Sequence, residues 1–117
     1  MIWVWFYTPI VRLTEKRQQA FLQAIRLFLA EKLQRDISQI GALWVAAISQ
    51  GCPIMSVFVD YPEEIDIDST LPDALGRVAK EWLWTHTRIS LPDDAVSLGV
   101  VFRPQKETTA YCETVYF

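Results

Sequence analysis

At 117 residues the chain suits one compact domain with a core of its own. Hydrophobic residues make up 51% and charged residues 21%, which argues against a disordered segment. The net charge of −3 argues against a general nucleic-acid binder, which needs a basic excess or a basic face.

The first element is Ile2–Thr8, a run dense in Trp, Val, Phe and Tyr that reads as a strand. Thr14 reads as a helix N-cap, with Glu15 in the first turn where the helix dipole favours an acid. Phe21, Leu22, Ile25, Phe28, Leu29 and Leu33 then recur at helical spacing, opposite Lys16, Gln19, Gln23, Arg26 and Glu31. The basic residues Lys16, Arg17, Arg26, Lys32 and Arg35 read as a solvated helix surface. Gly41–Ser49 reads as a buried strand, Gln50–Pro53 as a turn, and Pro53–Tyr61 as the next strand.

Pro62–Thr70 is an acidic loop. Its residues Glu63, Glu64, Asp66 and Asp68 lack the spacing and the turn glycine of a calcium loop. A second helix starts at Thr70 or Leu71, with Pro72 and Asp73 in its first turn, and buries Leu75, Val78, Ala79, Trp82 and Leu83. Trp84 points elsewhere, towards a neighbour, and His86 suits the helix C-terminus. Trp3, Trp5, Trp44 and Trp82 read as core. Asp93–Pro104 is a fourth strand, and residues 107–117 a short C-terminal one.

A shift of 52 residues places Ile2 on Ile54, Phe6 on Phe58 and Met1 on Pro53. The chain thus reads as one domain, 1–117, made of two β-α-β units at about 1–50 and 53–104, pseudo-symmetric about Gly51. Right-handed crossovers give an α/β (α+β) fold, a four-stranded sheet with two helices on one face. Trp3, Trp5 and Tyr7 alternate with Val4 and Phe6, so both faces of the first strand are apolar. The second face needs cover, and another copy of the chain is the expected cover.

No apolar run approaches the roughly 20 residues of a membrane span. The N-terminus lacks the basic region of a signal peptide. Cys52 and Cys112 have no ligand spacing and His86 stands alone, so no metal or other cofactor is expected, and the thiols are expected to be reduced in a cytoplasmic protein.

The stretches "VRLTEKRQQAFLQAI" and "LGRVAKEWLWTHTRISLPDDAVSLGVVF", within this duplicated order, resemble the tautomerase superfamily. That family includes 4-oxalocrotonate tautomerase, carboxymethyl-hydroxymuconate isomerase and macrophage migration inhibitory factor. The resemblance covers nearly the whole chain. It implies a trimer with sheets lining the centre and a small keto or enol carboxylate as ligand. It also implies an amino-terminal proline as general base, with arginines binding the carboxylate.

Here Ile2 follows Met1, and a bulky second residue leaves Met1 in place. Pro53 and Pro9 are internal, so their nitrogens are amides. The resemblance assigns Arg12, after the first strand, to the substrate carboxylate. Arg103, at the end of the fourth strand, could line the same mouth. The Met1 α-amine is the only conceivable replacement base. Two readings follow. One is a tautomerase-like protein with altered or lost catalysis, an isomerase of atypical type if active. The other is a non-enzymatic oligomeric module of immunity or regulatory type.

Overall fold

The structure, a computed structural model, describes residues 1–7, 13–45, 55–88 and 98–105. In chain order these form β1 (Ile2–Tyr7), α1 (Glu15–Leu33), a 3-10 turn (Ile37–Gln39), β2 (Ile40–Val45), β3 (Met55–Pro62), α2 (Leu71–Thr87) and β4 (Leu98–Gln105). Pro9, Arg12, the Gln50–Pro53 turn, both cysteines and the C-terminal strand expected at 107–117 lie outside the described residues.

The strands form one sheet in the order β2-β1-β3-β4. β1 runs parallel to β2, with Ile2 paired to Ile40, and β3 runs parallel to β4, with Met55 paired to Leu98. β1 and β3 meet antiparallel at the centre, Val4 against Val59. Each parallel pair is a strand-helix-strand unit, as the sequence order implies.

Local chemistry starts and ends both helices. The Thr14 hydroxyl accepts the Arg17 N–H at 3.3 Å, and so satisfies one of the first-turn donors of α1. α1 stops where Gln34 turns left-handed at φ 53°, and α2 where Arg88 does so at φ 60°. Thr70 makes no side-chain cap bond to α2. Instead Asp68 accepts the Thr70 N–H at 2.8 Å and its hydroxyl at 2.7 Å, which fixes the approach to the helix.

One core lies between the sheet and the two helices. Ile2, Val4 and Phe6 of β1 and Met55, Val57 and Val59 of β3 are buried with Phe21, Ile25, Leu29, Leu75, Ala79 and Leu83. Phe28, Leu33, Val78, Trp44 and Trp82 pack at its margin, partly buried. Edge-on ring pairs knit it together: Phe21 meets Phe6 at 4.9 Å, Trp82 at 5.3 Å and Trp44 at 5.6 Å.

Three sequence expectations change. Trp3 and Trp5 are not core; with Tyr7 they stand half-exposed on the opposite face of β1. Arg26 is not a solvated surface residue. Its Nε donates to the Ile40 carbonyl at 2.6 Å and its Nη2 to the Ile37 carbonyl at 3.0 Å, tying α1 to the start of β2. The repeat shift of 52 also fails. It sets buried Phe6 on Phe58, which lies on the open face of β3. Because side chains alternate along a strand, only an odd shift preserves the faces. A shift of 53 carries Ile2, Val4 and Phe6 onto Met55, Val57 and Val59, and 54 carries Phe21, Ile25 and Leu29 onto Leu75, Ala79 and Leu83. Pro53 is therefore not the counterpart of Met1 in the numbering that the strands obey.

Candidate functional site

The face of the sheet away from the helices carries Trp3, Trp5 and Tyr7 of β1, with Leu43 and Val45 of β2 beside them. On the other side follow Ser56, Phe58 and Asp60 of β3 and then Val101 and Arg103 of β4. Leu43 and Val101 are exposed and most of the aromatic rings half-exposed. Tyr7 meets Phe58 edge-on at 5.5 Å, and Trp3 leans on Trp5 at 6.2 Å.

One charged cluster interrupts this apolar surface. Trp3, Asp60 and Arg103 are successive partners across β1, β3 and β4. Arg103 holds the Asp60 carboxylate with a two-pronged bond, Nε to Oδ1 at 2.6 Å and Nη2 to Oδ2 at 3.0 Å. The Trp5 indole N–H adds a third donor, to Oδ2, at 3.0 Å. The Arg103 guanidinium lies over the Phe58 ring, 4.5 Å from its centre. A guanidinium stacked and forked in this way is held in one plane.

The residues singled out in the sequence fall as follows. Met1 precedes β1 and is 55% exposed. It lies at the Asp60 and Arg103 end of the sheet, because Trp3, two residues on, pairs with Asp60. The strand spacings put the Cα atoms of Met1 and Arg103 on the order of 12 Å apart. Arg12 lies outside the described residues. Thr14, two residues after it, caps the far end of α1: Phe21 packs on Phe6, whereas Arg26 reaches Ile40, the partner of Ile2. The helix therefore begins beyond the Tyr7 end of β1, and Met1 stands at the other end, about 20 Å away along the strand.

Sequence reasoning missed Asp60, the partner of Arg103, and read Trp5, which also donates to it, as core. An acid at an open-face position of an apolar strand is the available signal, but its partner is fixed only by the register of β3 on β4.

Among the described residues, clefts also lie away from this cluster. One of about 230 Å³ is lined by Trp3, Gln19, Gln23, Arg26 and Gly41. Each Arg26 nitrogen there makes one bond, Nε and Nη2 to backbone carbonyls and Nη1 to Gln23 at 3.0 Å. Another, about 190 Å³, is lined by Lys32, Asp66, Asp68 and Thr70, and its two acids disfavour an anion. His86 stacks on Trp82 at 4.2 Å with Nδ1 3.0 Å from the Trp82 carbonyl, and Arg88 covers Trp84 at 5.2 Å. Among the described residues no cluster of metal-ligating side chains occurs, and no helix is long and apolar enough to cross a membrane.

No protein-family model and no curated protein matches the sequence. Solved structures do match. The chain is similar to a macrophage migration inhibitory factor of Toxoplasma gondii, 14% identical over 89% of this chain and 90% of that one, with a TM-score of 0.64. It is similar to a fused 4-OT that is a wild-type symmetric trimer, 16% identical over 91% and 87%, TM-score 0.62. A migration inhibitory factor-like protein from Entamoeba histolytica is 14% identical over 90% and 89%, TM-score 0.58. At such identities the likeness establishes the fold, a tautomerase and migration inhibitory factor fold, which is the resemblance carried by the sequence.

Proposed function

We propose that this chain, with its tautomerase-type fold, is a tautomerase-like protein that holds a small keto or enol carboxylate and has altered or lost the proline-dependent reaction. The observation that carries this reading is the end of the open sheet face, where the start of β1, the rings of Phe58 and Trp5 and the guanidinium of Arg103 converge. Arg103 supplies donors for a carboxylate. Arg12 supplies a second contact. The Met1 α-amine is the replacement base, if any base acts. No cofactor takes part.

The assembly we propose is a homotrimer, as in the fused 4-OT trimers of this fold. Inward-facing sheets would cover the open face towards Tyr7, Leu43 and Val45 and leave its Arg103 end free, and the tail Tyr111–Phe117 would add a strand to a neighbour's sheet, satisfying an open edge. The whole of 1–117 is one domain of two repeats, working in the cytoplasm. A stable monomer in light scattering at micromolar concentration would overturn the assembly. Phenylpyruvate ketonisation tests the chemistry: the native chain should show little or none, and carboxylate binding should weaken in Arg12→Ala and Arg103→Ala.

A second reading, an interaction module without catalysis, is favoured by the closure of Arg103 on Asp60 and by the breadth of the aromatic face. An intact oligomer that binds no carboxylate would select it.

A further inference from the structure

Arg103 is occupied in a particular way. A guanidinium offers a free carboxylate two parallel N–H donors matched to its two oxygens. Asp60 fills that fork, Nε on one oxygen and Nη2 on the other. It thus stands where an external carboxylate would stand.

Three features suit this pair to exchange. The Arg103 side chain is 43% exposed and that of Asp60 21%, so solutes reach the pair, and a part-exposed ion pair is of modest strength. Phe58 keeps the guanidinium plane fixed while its partner changes. Trp5 retains its bond to Asp60, so the displaced carboxylate is not left bare. Arg103 also stands on β4, an edge strand, at the Met1 end, and inward-facing sheets need not seal it.

We propose that Asp60 is an internal surrogate ligand: it holds Arg103 in the resting chain, and an external monocarboxylate on a planar apolar body displaces it. This rests on the reading of Arg103 as a carboxylate contact. The body of the ligand lies on the rings of Phe58 and Trp5, whose contacts outweigh the loss of the internal pair. A second carboxylate on the ligand would meet the charge of Asp60, so monocarboxylates are preferred over dicarboxylates.

The test is calorimetric titration of the native chain, Asp60→Asn, Arg103→Ala and the double variant. The probes are 3-phenylpropanoate, which cannot tautomerise, and its neutral amide. Removing the competitor charge should tighten binding of the acid roughly fivefold, the size of a part-exposed pair, and leave the amide unchanged. Arg103→Ala should abolish the preference for acid over amide. An Asp60→Asn chain of intact fold and assembly that binds the acid no tighter than the native chain overturns the exchange. So does a failure of either chain to bind the acid.

A second measurement does not depend on the variant folding. In nitrogen-15 spectra of the native chain, the Arg103 Nε–H and Trp5 Nε1–H signals should shift together as the acid saturates; unmoved signals overturn the proposal. The two levels separate cleanly. Acid preference surviving in Arg103→Ala removes Arg103 from the proposed function. Acid preference lost there, without a gain in Asp60→Asn, removes the exchange alone.

Discussion

The indole of Trp3 lies flat against Gly41 on the neighbouring strand, so close that a Cβ at position 41 would stand 2.3 Å from Cζ3 and 2.4 Å from Cε3. The two residues are direct partners of the β1–β2 pair. The glycine is needed for the approach of a side chain. Gly41→Ala must push the indole away, and overpacking of this kind costs about 1–3 kcal/mol. Trp3→Ala vacates the same space, so the double variant should lose less than the sum of the two single changes. Urea unfolding of the four chains measures this, and strict additivity would mean that the contact does not govern position 41.

Arg26 should matter more than a surface arginine. Its bonds to the Ile37 and Ile40 carbonyls hold the turn that feeds β2. Hydrogen bonds from a charged donor are worth about 1.5–3 kcal/mol each, less where water competes, so Arg26→Ala should lose about 2 kcal/mol. Arg26→Lys should recover only part, since one ammonium cannot reproduce the planar fork. Denaturation midpoints decide; a loss under about 0.5 kcal/mol, typical of an exposed position, would show the clamp to be idle.

Much of this architecture is legible in the residues. Phe21, Ile25 and Leu29 recur with the helix period, Thr14 marks the helix start, and Trp3, Trp5 and Tyr7 alternate with Val4 and Phe6. Those signals are local, and local periodicity fixes elements and faces. The repeat register is not local. Matching Ile2 to Ile54 and Phe6 to Phe58 satisfies identity and breaks the pleat, because a one-residue slip exchanges the faces. The Asp60–Arg103 pair is hidden for the same reason. The two residues are 43 positions apart and meet only through the pairing of β3 with β4. Arg26 reads as polar helix surface because its reach to a strand carbonyl depends on where the helix lies, which no spacing within the helix reveals.

Acid should weaken the fold through Asp68. The Thr70 backbone N–H, and then its hydroxyl, hold the Asp68 carboxyl below its ordinary value of 3.8. The folded pKa is thus lower than the unfolded one. The stabilisation is complete above the unfolded value and is lost as pH falls through the folded value. Ser38 depresses Asp36 in the same direction, so both turns loosen together in acid. Asp68→Ala should be less stable than the native chain at neutral pH, and the gap should close below the folded pKa. A gap that stays constant from neutral to strongly acidic pH would show that the Asp68 turn does not contribute through its charge.

The sharpest test of the candidate site restores the missing amine. Replacing Ile2 by proline would expose a terminal proline, but Ile2 is 2% exposed and belongs to the core, so that change also opens a hole beneath β1. Met1 is 55% exposed and lies outside the core. A proline inserted between Met1 and Ile2 keeps Ile2 and, once Met1 is removed, puts a secondary amine in the place of the Met1 nitrogen. A positioned general base contributes roughly 10²–10⁴-fold in rate. If the end of the sheet near Arg103 still forms a carboxylate pocket, the insertion should raise phenylpyruvate ketonisation by at least about 10²-fold over the native chain. Arg103→Ala in the same background should raise KM more than it lowers kcat, the mark of a ground-state contact. Mass spectrometry confirms that the terminal proline is free, and circular dichroism that the fold is kept. With both established, an unchanged rate would mean that no reactive pocket remains at that end, and would leave the interaction module as the function of this chain.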